Sequence, residues 1–503
     1  MTSQHIQRVV IVGGGTAGWI TAAAMAKLLS PKVSITLVES EAIGTVGVGE
    51  ATIPQIRRLN GMLGLNEDEV LAATQGTFKL GIEFSNWGHV GERYLHTFGD
   101  AGINLASLPF HQYWLRARAE GSTSRLWDYS LHQAAANAGK FGRLERVGNT
   151  PMSGLAYAFH FDAGLYARYL RGFAESKGVT RIEGKVVNVS LEPERGHIAS
   201  IALEDGKSVE GELFVDCTGF RGLLIGEALG VTYRDWSHWL PCNRALAVAS
   251  ERAEPLLPYT KSIAHEAGWQ WRIPLQHRTG NGHVFCDSFL SEEAAAVTLL
   301  SNLDGAAISE PRPLRFTTGR RDVFWEKNCV AIGLSSGFLE PLESTSIHLI
   351  QSNVSRLIEL FPTSDFAPAL AAEYNRQTMH EFDLVRDFLI LHYHLNQRED
   401  SEFWRYCANM EIPDTLKAKL DLFEASGVVF KAPEDIFRES SWVQVMLGQN
   451  FMPKSYHDMA GRLSLDQLRD FLSQVQTIIA RAVDGLPRHE DFIAAHCRAP
   501  AAQ

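Results

Sequence analysis

A chain of 503 residues, 45% hydrophobic and 21% charged, has material for one large or two to three ordinary domains with an ample core. A formal net charge of −11 and no block of Lys and Arg argue against a nucleic-acid partner, since neutralising phosphates takes a basic face. Six cysteines without a Cys-x-x-Cys pair fit thiols in a reducing cytoplasm, and no stretch reaches the roughly 18 uncharged apolar residues of a membrane span.

In chain order, residues 8–12 are a short apolar run suited to a buried parallel strand, and helical spacing follows from Thr16 to about Leu29. Ala23-Ala24-Met25-Ala26 mimics a secretion cleavage site, but glycines interrupt the preceding run, so strand, turn and helix is the better parse. Residues 33–38 give a second strand ending at Glu39, completing a βαβ unit. Asn66 with Glu69 makes a capping box for a helix reaching Ala73. Residues 185–191 and 198–203 are strand-like, with Arg195-Gly196 as the turn, and residues 212–215 lead into Asp216-Cys217-Thr218-Gly219. Residues 329–332 form another short strand, closed by Gly333. Residues 346–361, 367–395 and 465–483 carry helical spacing. The expectation is an α/β Rossmann-type body over residues 1–350 and a mostly helical portion over 351–503.

Gly13, Gly15 and Gly18 stand between the first strand and its helix, the context that gives Gly-x-Gly-x-x-Gly its meaning. Gly13 permits the tight turn, Gly15 the approach of a pyrophosphate, and Gly18 close packing of helix on sheet. Thr16 and Ala17 open the helix, whose N-terminus stabilises phosphate charge. Glu39, about 20 residues on, is placed to accept ribose hydroxyls. No second unit of this kind offers a site for NADPH. His392 and His394, two apart on an expected helix, face different directions and argue against a metal site.

Three further motifs follow the glycine turn: Thr77-Phe78-Lys79-Leu80-Gly81, Gly268-Trp269-Gln270-Trp271-Arg272-Ile273-Pro274, and Pro341-Leu342-Glu343-Ser344-Thr345. In this order they resemble the flavin-dependent halogenases of the tryptophan halogenase family, over about residues 9–351. The late strand ending in Gly333 and the Asp-x-Thr-Gly segment resemble the flavin hydroxylase fold. That resemblance implies FAD, with Leu334 and Ile347 near its isoalloxazine ring. The second glycine cluster, Gly47-Val48-Gly49-Glu50-Ala51-Thr52, would wrap the flavin, bringing in Ala51.

The family resemblance also implies roles. Reduced FAD, oxygen and chloride or bromide give hypohalous acid, which Lys79 holds and polarises or takes up as a haloamine; its compact ammonium with three donors suits either. Glu343 would stabilise the cationic intermediate of aromatic substitution and accept its proton, with Glu340 the competing carboxylate. Thr345 and Ser346 would bind halide; the usual motif has Gly where this chain has Ser346. Trp269 and Trp271, on one face of a strand, would line a channel separating flavin from substrate. His96 and Phe98 match the positions that stack on an indole. A separate NAD(P)H-dependent flavin reductase would be the partner, together with a small aromatic substrate.

The Tyr-Tyr and acidic cluster that would clamp free tryptophan is not found near Ser441-Trp442-Val443-Gln444, leaving Trp442 as a wall residue only. A simple indole, or another electron-rich arene or phenol, is therefore the expected substrate. The alternatives are an FAD-dependent aromatic monooxygenase and a flavoprotein sensor; neither needs Lys79 or the Trp-x-Trp pair.

Overall fold

In a computed structural model of the chain, the described residues are 5–43, 49–430 and 435–500. Gly47 and Val48 of the second glycine cluster lie outside them. Compactness divides the chain into two units, each assembled from three stretches, and so differs from the division by composition at residue 350.

The first unit comprises residues 1–75, 161–243 and 315–385. Its six-stranded sheet runs in the order Trp325–Glu326, Cys329–Ala331, Leu213–Asp216, Arg8–Val12, Ser34–Glu39, Thr180–Glu183. All neighbours pair parallel except the first two strands. Parallel strands covered on both faces need continuous apolar runs, and Val9, Val10, Ile11 and Val12 supply one. Helix Thr16–Leu29 packs on helices Ala163–Ser176 and Ser346–Glu359. Below the sheet, Val10, Val38, Phe214 and Ala331 share a buried cluster with Ile198, Ile201 and Leu203. The two expected strands form as Val186–Leu191 and Ile198–Leu203, which pair antiparallel and are joined by Ser208–Glu210. The Asn66 cap forms, its Oδ1 accepting the N–H groups of Asp68 and Glu69.

The second unit comprises residues 76–160, 244–314 and 386–503. A seven-stranded sheet runs Arg312–Arg315, Arg244–Ser250, Thr279–Phe285, Gly268–Pro274, Thr260–His265, Gly81–Ser85, Arg93–Thr97. Pairing is antiparallel from Arg244–Ser250 to Thr260–His265, parallel between Thr260–His265 and Gly81–Ser85, then antiparallel again. Helices Glu402–Asn409, Asp414–Ser426, Glu439–Gly448, Leu465–Asp484 and His489–His496 make the C-terminal stretch of this unit mostly helical. The expected helix over 367–395 is Pro368–His394. Among the described residues no helix is long and apolar enough to cross a membrane.

Candidate active site

In the first unit, Gly13 takes φ +114°, a conformation open to glycine, and a Cβ there would sit 2.2 Å from the Cys217 carbonyl oxygen. Gly15 is the N-cap of the following helix, with no side-chain cap, and a Cβ on it would meet nothing within 4 Å. An open approach to unsatisfied helix N–H groups fits a pyrophosphate. Glu39 lies against Gly14, but its Oε1 accepts from Arg181 Nε at 2.5 Å, so the expected ribose acceptor is held in an ion pair. Asp216 explains the Asp-x-Thr-Gly segment: its carboxylate accepts from Thr218 N–H and hydroxyl and from the N–H groups of Leu224 and Ile225. Gly333 approaches the fingerprint, since a Cβ on it would lie 2.7 Å from Ala17 Cβ. Leu334 and Ile347 follow in the turn Gly333–Ser335 and the first turn of helix Ser346–Glu359. Ala51 ends the strand Gly49–Ala51, and nearby Gln55 accepts from Gln351 of that same helix. Glu50, partly buried, has its carboxyl pushed up to about 7 by desolvation, a feature that composition did not signal.

Glu343 and Glu340 are both buried, so burial does not choose between them. Ser344 then adopts φ +58°, strain for a non-glycine residue that turns the chain into the helix. Thr345 is fully buried as the N-cap of that 14-residue helix, and its Oγ1 has no hydrogen-bond partner among the described residues. An unsatisfied hydroxyl at a helix N-terminus suits a small anion. Ser346 is the first helical residue.

In the second unit, Lys79 is fully buried in strand Thr77–Lys79, which pairs antiparallel with Ala158–Asp162. Backbone bonds pin it on both sides: Phe78 N–H donates to His489 Nε2 (3.2 Å) and Leu80 N–H to the Pro258 carbonyl (2.8 Å). The Phe78 ring stacks on Phe141 at 4.1 Å. Lys79 Nζ lies 5.3 Å from the Phe98 ring centroid, where an ammonium gains from the ring quadrupole. Gly81 must be glycine because a Cβ would sit 2.4 Å from the His96 carbonyl oxygen.

His96 is buried, 5.6 Å from Phe388, whose ring stacks on Phe437 at 3.8 Å and meets Trp442 edge-on at 4.9 Å. Sequence reading missed Phe388, because an aromatic within a 27-residue helix looks like ordinary core, and Phe437, which lies in irregular chain just before helix Glu439–Gly448. Trp442 is buried on helix Glu439–Gly448. Gln444 accepts from Thr97 N–H and hydroxyl, joining helix Glu439–Gly448 to the strand bearing His96. Beside it opens a cavity of about 300 Å³ lined by Asp100, Asn104, Arg438, Glu439 and Gln444 among others. That charged groove was not legible from Ser441-Trp442-Val443-Gln444.

Trp269 and Trp271 are both buried on strand Gly268–Pro274, with ring centroids 6.1 Å apart. Trp271 covers Gly282, where a Cβ would lie 2.1 Å from the indole. His392 stacks on Phe84 and bonds Tyr94. Among the described residues no group of three or more His, Cys, Asp and Glu gathers for a metal.

The glycine fingerprint, parallel sheet and late strand define a flavin-binding enzyme of hydroxylase-like architecture. A model of the tryptophan halogenase family matches residues 8–464. The chain is 38% identical over 449 residues to the tryptophan 6-halogenase SttH of Streptomyces toxytricini, covering 84% of each chain. Its structure superposes on Xcc4156, a flavin-dependent halogenase from Xanthomonas campestris, with TM-score 0.96 and 48% identity over 99% of this chain and 100% of that one. BrvH, a flavin-dependent halogenase from Brevundimonas sp. BAL3, gives 0.94 and 46% over 98% and 99%. The chain belongs to the tryptophan halogenase family. It is an FAD-dependent aryl halogenase, and the aromatic monooxygenase is not favoured.

Proposed function

We propose that this enzyme halogenates an uncharged indole, with Lys79 delivering the oxidised halogen and Glu343 taking the ring proton. When bound, reduced flavin would activate oxygen, the oxidant that converts halide to hypohalous acid. The observation that carries the reading is a fully buried lysine on a pinned strand, its ammonium against an aromatic ring. A positive charge so enclosed can hold an electronegative oxidant at a fixed point, which makes regioselectivity a matter of positioning. Thr345 and Ser346 hold the halide, and Trp269 and Trp271 keep substrate away from the flavin. The indole lies against His96 and Phe98, where each well-placed aromatic contact is worth about 0.5–1.5 kcal/mol. A separate NAD(P)H-dependent flavin reductase supplies reduced FAD.

A second reading, free tryptophan, draws support from the groove at Asp100, Arg438 and Glu439, which offers both signs of charge to a zwitterion. Burying an amino acid unpaired would cost several kcal/mol, so the two readings differ in whether that groove pairs it. Side-by-side assays of indole and tryptophan, each with chloride and bromide, decide between them. Faster turnover of indole is expected; markedly faster turnover of tryptophan would make the groove its clamp.

A further inference from the structure

We propose that His160 is a positioning residue for Lys79: through Thr77 it locks the lysine strand to the strand carrying Trp269 and Trp271. The inference rests on the reading of Lys79 as the halogen-delivering group. His160 is fully buried and stands directly opposite Thr77, with Phe159 opposite Phe78 and Ala158 opposite Lys79. Thr77 Oγ1 donates to the carbonyl of Pro274, the last residue of the Trp-x-Trp-x-Ile-Pro motif, at 2.7 Å. His160 Nδ1 lies 2.9 Å from that same Oγ1, and its Nε2 lies 2.9 Å from Thr260 Oγ1.

Proton counting fixes the direction of the chain. A threonine hydroxyl has one proton, and that of Thr77 goes to Pro274, so Thr77 accepts from Nδ1–H. A neutral imidazole then presents a lone pair at Nε2, which takes the proton of Thr260. Burial first, then the nearby charges of Lys79 and His489, hold the imidazole well below its ordinary pKa, consistent with that neutral form. Both imidazole nitrogens and the two hydroxyls are satisfied, and a fully satisfied buried network rigidifies what it joins.

Such a device answers a problem of register. Strand Thr77–Lys79 is three residues long and pairs over three positions with Ala158–Asp162. A one-residue slip would turn Lys79 to the opposite face and put Phe78 in its place. The relay closes only when Thr77 stands opposite His160. A purely apolar contact at the same place would pack in either register.

The test uses the full chain with FAD, a flavin reductase, NADH, bromide and indole, and reads brominated product per reduced flavin consumed, together with the thermal melt. Thr77→Val keeps the side chain's shape and removes the hydroxyl; Thr77→Ser keeps the hydroxyl. Thr77→Val and His160→Phe should each lower product per flavin roughly tenfold to a hundredfold, with the rate of flavin oxidation unchanged. Thr77→Ser should hold the wild-type ratio. The double variant should lose no more than the worse single one, because both break one relay. A wild-type ratio in Thr77→Val, or losses that multiply in the double variant, would overturn the proposal. Should His160→Phe fail to fold, the contrast of Thr77→Val with Thr77→Ser still decides. Lys79→Ala in the same assay separates the two layers. Wild-type product from it sinks the reading of the lysine, whereas its silence beside an intact Thr77→Val sinks the relay alone.

Discussion

A threonine hydroxyl buried at a helix N-terminus without a partner is costly unless something binds there. Thr345 is in that position, next to the strained Ser344. A hydrogen bond to a charged acceptor contributes about 1.5–3 kcal/mol, a factor of roughly ten to a hundred in affinity. Thr345→Val, nearly the same in shape, should therefore raise KM for bromide by about that factor while FAD affinity is unchanged. Halide titration at saturating FAD checks this, and an unaltered KM would remove Thr345 from the halide site. Glu39 carries a different lesson at this scale. Its position after the second strand was legible, but its ion pair with Arg181 was not, because Arg181 comes from a strand about 140 residues later, a separation that no local motif encodes.

Between elements, a tight approach beside the lysine strand is where Gly81 passes the His96 carbonyl. Gly81→Ala must push neighbouring paired strands away from each other, one leading from Lys79 and the other carrying His96 and ending just before Phe98. Overpacking of this kind costs about 1–3 kcal/mol, so the variant should unfold at lower denaturant and lose halogenation with it. A wild-type midpoint in a denaturant titration would show that the strands yield without strain. The βαβ unit and the long late helices were legible because each carries its own period over many residues. The seven-stranded sheet was not, since its parallel pair, next to one edge, joins Thr260–His265 to Gly81–Ser85, strands far apart in the chain. Strand Thr77–Lys79 is too short to show any period. Its lysine was found through a motif match, and its supports, His160 and His489, stand far from it in sequence and were missed.

For the whole molecule, buried histidines set the response to acid. Desolvation lowers His111, His132, His283 and His489 to about 4, against 6.5 when unfolded. The unfolded chain therefore binds more protons between those values. The stability this contributes is complete above pH 6.5 and is lost as pH falls toward 4, by up to about 3 kcal/mol per histidine. Glu50, raised to about 7, works the other way, its protonation favouring the fold between about 4.5 and 7, but it is one group against four. Secondary structure followed by circular dichroism should collapse between pH 6.5 and 4; a fold intact below pH 4 would contradict this.

The central claim is that the enzyme transfers halogen to an aromatic ring by way of Lys79. Mass spectrometry of indole incubated with the enzyme, FAD, a flavin reductase, NADH and bromide tests it most directly, with Lys79→Ala run in parallel. The expected result is bromoindole, recognised by its isotope doublet, from the wild type and none from Lys79→Ala, which still binds FAD and oxidises reduced flavin. A product carrying oxygen in place of bromine, or an undiminished yield of bromoindole from Lys79→Ala, would contradict it.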